Sequence, residues 1–83
     1  MYFEYTDYLV ALYDTHKHGS TYHTFNTQKV AFDFMQKHTN DIVKAKIWKC
    51  FWYCDDDDGY VDDENVTKTK IFDNYTTYFN KNK

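Results

Sequence analysis

Ile42-Val-Lys-Ala-Lys-Ile-Trp-Lys-Cys-Phe-Trp-Tyr-Cys54 holds both tryptophans and both cysteines of the chain, and four aspartates follow it directly. At a period of two, Val43, Ala45, Ile47, Phe51 and Tyr53 share one face, interrupted by Lys49. Lys44, Lys46, Trp48, Cys50, Trp52 and Cys54 share the other. β-branched and aromatic residues at alternating positions suit a pleated, half-buried surface, which predicts a long central strand.

Outward from this strand toward the N-terminus, Thr39-Asn-Asp41 stops a helix expected over Gln28 to His38 and capped by Asn26 or Thr27. Its apolar positions Val30, Ala31, Phe34 and Met35 form a stripe that predicts a core-facing side, with Phe32 off the stripe. Before the helix, Tyr8, Val10 and Leu12 alternate with Leu9, Ala11 and Tyr13, as in a strand buried on both faces for part of its length. His16-Lys-His-Gly-Ser20 is a turn with Gly19 free to take positive φ, and Thr21 to Phe25 closes a hairpin.

Outward toward the C-terminus, Asp58-Gly59 is a strong hairpin signal. Tyr60-Val61 and then Val66 to Phe72 return as a fourth strand, with Thr67, Thr69 and Ile71 facing away from Val66, Lys68, Lys70 and Phe72. Both glycines fall at expected turns. The expected architecture is an α+β single small domain over residues 1–83, an antiparallel sheet (ββαββ) with one helix packed on it. Residues 55–64 form an acidic hairpin tip, and residues 74–83 a short helical or frayed tail.

Composition limits the function. With 83 residues, only roughly two-thirds of the unfolded surface is buried. Nine Tyr and seven Phe either mark contact surfaces or stand in for a larger aliphatic core. Seven acids and no base lie in Asp55 to Glu64, whereas the rest of the chain has six acids against ten lysines. Arginine is absent, and with a net charge of −3 this argues against sequence-specific nucleic-acid binding, which leans on bidentate Arg contacts. The N-terminus has no basic and apolar leader pattern, and no apolar run reaches the ~20 residues of a membrane span. The expected location is a cytoplasm with reduced thiols, where the sequons at Asn65 and Asn74 are coincidental.

The acidic block invites a calcium reading, but with Gly59 at loop position six, Cys54 takes position one and Asn65 position twelve. The first ligand and the final glutamate of an EF-hand are therefore missing. A second reading is a solvated tip whose acids keep edge strands from pairing with neighbours. A third is nucleic-acid mimicry. Residues on an extended chain advance ~3.3 Å, close to the ~3.4 Å phosphate rise of one DNA strand. The residues put forward for partner binding are Asp55, Asp56, Asp57, Asp58, Tyr60, Asp62, Asp63 and Glu64, with Trp48 and Trp52 beside them.

Cys50 and Cys54 on a strand sit ~13 Å apart, too far for a disulfide. With His16, His18, His23 and His38 they fit no zinc spacing, so no metal or other cofactor is expected. Catalysis would need a Cys–His pair (Cys50 or Cys54 with His23 or His38) to meet in space. A chain this short rarely adds a catalytic pocket to its core, and no enzyme is expected. Lys44, Lys46, Trp48 and Trp52 form a basic–aromatic face compatible with single-stranded nucleic acid. The adjoining acids would repel phosphate within a Debye length of ~8–10 Å, and lysines beside an apolar strand are ordinary solubilising residues.

In size and composition (short, acidic, poor in Cys and Pro, rich in Asn, Lys, Tyr and Phe) the chain resembles the small accessory proteins of phages and mobile elements in AT-rich hosts. The resemblance implies an inhibitor of a host machine. The partner expected is a host protein that handles nucleic acid, bound through the acidic tip. The alternatives are a homo-oligomer, at its smallest a homodimer, joined by an exposed aromatic strand face, and a small metal-binding protein.

Overall fold

A computed structural model of the chain describes residues 2–57, 60–61 and 65–81. The elements run β1 (Tyr2–Asp14), β2 (Gly19–Phe25), α1 (Gln28–His38), β3 (Val43–Asp57), β4 (Tyr60–Val61), β5 (Asn65–Asp73) and α2 (Tyr75–Lys81). The stretch that dominates the sequence is the axis of the sheet. β1 pairs with β3 from Asp14↔Val43 to Tyr2↔Asp55, and β5 pairs with β3 from Lys46↔Asp73 to Tyr53↔Asn65. β2 lies outside β1, and every pairing is antiparallel. The fold is the expected α+β one, an antiparallel sheet with one main helix packed on it. β4 pairs the last residues of β3, Asp56↔Val61 and Asp57↔Tyr60. Asp58 and Gly59, where the turn was expected, lie outside the described residues.

The core lies between the sheet and α1. Val10 and Leu12 on β1, Ala45 and Ile47 on β3, and Ala31 and Met35 on α1 are buried together. Register explains the grouping: Val10 pairs with Ile47 and Leu12 with Ala45, so all four project to one face. Fully burying Val10 and Ile47 contributes ~1.5–3 kcal/mol each. Tyr8, Phe25, Phe32, Phe34 and Phe72 ring this small aliphatic centre. Part of the aromatic surplus thus extends the core, as one of the two readings of the composition held.

Thr27 is the N-cap, its hydroxyl accepting from Val30 N at 3.3 Å. The apolar stripe differs from the expected one. Val30 is 49% exposed, while Phe32 packs on the core and meets Phe72 edge-on at 5.9 Å. At about 100° per residue, Phe32 and Phe34 lie about 80° to either side of the Ala31–Met35 midline, and Val30 about 120° away. The stripe is therefore rotated by about 50° from the one the sequence pattern suggested, with Phe32 taking the place of Val30.

The β1–β2 turn also differs. The left-handed residue is His18 at φ 57°, and Gly19 already belongs to β2. Asp14 organises the turn: its Oδ1 accepts from His16 N and Lys17 N, both at 2.9 Å, and its carbonyl accepts from His18 N at 2.8 Å. The bond from the Lys17 amide, above all, holds the Asp14 carboxyl below its ordinary pKa. Tyr13 Oη lies 2.9 Å from His18 Nδ1, an added tie that offsets the strain of a left-handed non-glycine residue.

On β5 a register shift separates Ile47↔Phe72 from Trp48↔Lys70, leaving Ile71 without a partner across the ladder. Simple alternation placed Phe72 with the lysines. The bulge turns it to the helix side instead, and both Ile71 and Phe72 pack on the core. α2 then crosses the opposite face. Tyr75 meets Tyr13 edge-on at 4.8 Å, and Lys44 and Lys46 lie over the rings of Tyr78 and Tyr75 at 5.3 and 4.8 Å.

Candidate functional site

The residues packed on α1 end at Tyr8 on β1 and Ile47 on β3. Beyond them the sheet runs on, with β1 residues 2–7 still paired to β3 residues 50–55, and β5 on the other side of β3. This extension gives the molecule its 52 Å length against 25 and 19 Å across. No helix of the described residues covers it, and it exposes large apolar side chains: Tyr5 (44%), Val66 (38%), Phe51 (36%) and Tyr53 (36%). Phe51 and Tyr53 lie two apart on one face with ring centroids 6.1 Å from each other.

On the other face Trp52 is held in place rather than freely presented. Its ring stacks on Tyr5 at 5.9 Å and 8°, and its Nε1 donates to Asp7 Oδ1 at 2.9 Å. Asp7 pairs with Cys50 across the ladder. Burial pushes the Cys50 thiol up from its ordinary pKa, and the Asp7 carboxylate adds to the shift.

The backbone of Asp55, Asp56, Asp57 and Tyr60 falls in strands at the end of this extension. Their side chains lie outside the described residues, as do Asp58, Asp62, Asp63 and Glu64 altogether. Trp48 and Trp52, grouped together by the sequence, stand ~13 Å apart along β3. Trp48 belongs to a different neighbourhood. It lines a groove of about 200 Å³ with Tyr13, Tyr22, Lys44, Lys46 and Tyr75. Sequence reasoning named Lys44, Lys46 and Trp48 but missed the three tyrosines, which β1, β2 and α2 bring together from separate parts of the chain. The helical spacing of Tyr75 and Tyr78 was the one available signal.

Cys50 lies on the face away from α1, while His23 and His38 both pack against Phe34 on the α1 side, at 4.7 and 4.2 Å. The sheet therefore separates Cys50 from either candidate base. Among the described residues no three His, Cys, Asp or Glu side chains converge on a metal position. No helix of the described residues is long and apolar enough to cross a membrane. No protein-family model, curated protein or solved structure matches the chain.

Proposed function

We propose that the chain is a protein-binding inhibitor module that docks through the Asp55–Glu64 tip and its neighbouring rings onto a protein that handles nucleic acid. The class of target is a restriction, CRISPR, repair or polymerase enzyme, and the setting is a host cytoplasm entered by a phage or mobile element. One observation carries this reading. The sheet runs past its helix-covered core into an extension that exposes Tyr5, Phe51, Tyr53 and Val66 and leads directly into the acidic block. Apolar surface beside a block of one charge sign suits a docking arm, in which rings supply affinity and acids supply steering.

A tagged pull-down from nuclease-treated lysate identifies the partner, and binding of the purified pair then tests the site. Replacing Asp55, Asp56, Asp57 and Asp58 by Lys lowers affinity and flattens its salt dependence. Phe51→Ser with Tyr53→Ser lowers affinity and leaves the salt dependence in place. Unchanged binding in the aspartate variant sinks the proposal. A second copy is the alternative occupant of the exposed rings, and a stable dimer in light scattering, abolished by the Phe51/Tyr53 pair, favours it.

A further inference from the structure

We infer that the groove beside α2 binds single-stranded nucleic acid, seating an unpaired base among its rings and the adjoining phosphates on Lys44 and Lys46. The groove exists because Ala11 pairs with Tyr22 on one side and Lys46 on the other. A lone methyl thus forms the floor between long side chains. Tyr22 is 66% exposed and stands at the open wall. Tyr13 and Tyr75 close one end, edge to face, and Trp48 the other. Rings in this number offer π-faces to a base that is not already stacked in a duplex.

The charge is equally specific. Lys46 Nζ lies 4.8 Å from the Tyr75 ring centroid and 6.0 Å from that of Trp48. Lys44 Nζ lies over Tyr78 and donates to the Asn40 carbonyl at 3.3 Å. Among the described residues neither ammonium has a carboxylate within ion-pair distance. The nearest acid along the ladder, Asp73, is committed to Lys70 and Thr76. Both cations are therefore positioned by aromatic faces, and no carboxylate of the described residues neutralises them.

The acidic block does not cancel them. Asp55 lies nine residues along β3 from Lys46, about 30 Å by strand rise, which is about three Debye lengths at ordinary salt. The sequence places acids and lysines on one strand, but the extended strand holds them apart. The absence of arginine and the small volume of the groove, about 200 Å³, favour a strand read by stacking and charge over a duplex read by base edges. This site stands apart from the docking arm, and neither depends on the other.

The test is fluorescence anisotropy of a labelled oligo-dT of about ten nucleotides with the full chain. Quenching of Trp48 is followed in parallel in a Trp52→Phe protein. Expected are saturable binding, quenching, and a log–log salt slope near −1.4 for two phosphates at ~0.7 each. Lys44→Gln with Lys46→Gln weakens binding about tenfold and removes the slope, whereas Lys49→Gln, the same charge change on the α1 face, leaves it within about twofold. Ala11→Met, which fills the groove without altering charge, also weakens binding and guards against misfolding of the lysine variant. No binding at low salt, equal loss in Lys49→Gln, equal affinity for duplex, or equal affinity for a free mononucleotide each overturns the inference.

Discussion

Asp73 links β5 to α2, and replacing it with alanine is the most quantitative perturbation the structure offers. Its Oδ1 accepts from Thr76 N at 2.8 Å, and its Oδ2 accepts from Thr76 Oγ1 and Lys70 Nζ, both at 2.7 Å. Partial burial pushes the carboxyl pKa up, but the hydrogen bonds from Lys70 and Thr76 outweigh it and bring the group from 3.8 down to about 2. The Asp73 side chain is only 11% exposed, but Lys70 is 47% exposed, so solvent screening removes part of the Lys70 contribution and leaves the Thr76 bonds. A folded pKa below the unfolded one adds stability that is complete above the unfolded value and is lost as pH falls through the folded one. Linkage gives about 2 kcal/mol at neutral pH, about half of that at pH 3, and under about 0.5 kcal/mol at pH 2. The same size follows from removing an N-cap acceptor, at ~0.5–2 kcal/mol. Urea unfolding followed by tryptophan fluorescence, with wild type and Asp73→Ala compared at pH 7, 3 and 2, reads the difference directly. A pH-independent gap, or one below about 0.5 kcal/mol at neutral pH, refutes the charge-assisted cap.

The centring of α1 predicts opposite outcomes for neighbouring residues. Phe32→Ala lowers unfolding free energy by about 2–3 kcal/mol, while Val30→Lys changes it by less than about 0.5 kcal/mol, both measured by denaturant titration. In a Cys54→Ser protein the remaining Cys50, 2% exposed, is alkylated at mildly alkaline pH at least about tenfold more slowly in the native state than in urea, because burial both shields the thiol and raises its pKa. Equal rates in the two states refute the burial of Cys50.

The central strand was legible because its alternation is long, and a period of two over that length admits few other structures. The helix was legible in extent, with Thr27 as cap. Its facing was not, because Val30 and Phe32 flank the true midline and only the position of Phe72 selects between them. Phe72 itself was misassigned, since a one-residue bulge at Ile71 reverses the face of everything after it, and β-strand alternation carries no mark of such a slip. In the turn, glycine drew the positive φ on paper, yet the Asp14 carboxylate fixes the amides of His16 and Lys17 and shifts that conformation to His18. At the groove, the sequence pattern brought out Lys44, Lys46 and Trp48 together. It could not assemble Tyr13, Tyr22 and Tyr75, whose proximity depends on three separate pairings.

The pairing of β1 with β3 along its full length also governs how the chain reaches this state. The first strand is an interior strand, joined on one side to β2 but on the other only to residues 43–55. The β1–β2 hairpin can close early, through a local turn stabilised by Asp14. The larger ladder must wait for chain closures of about 30–50 residues, whose entropy is lost before their contacts form. Until then Val10 and Leu12 have no opposite wall and the hairpin carries an open edge. Folding is accordingly expected on the millisecond-to-second scale of non-local β topologies, with β3 as the late element that completes both the core and the sheet.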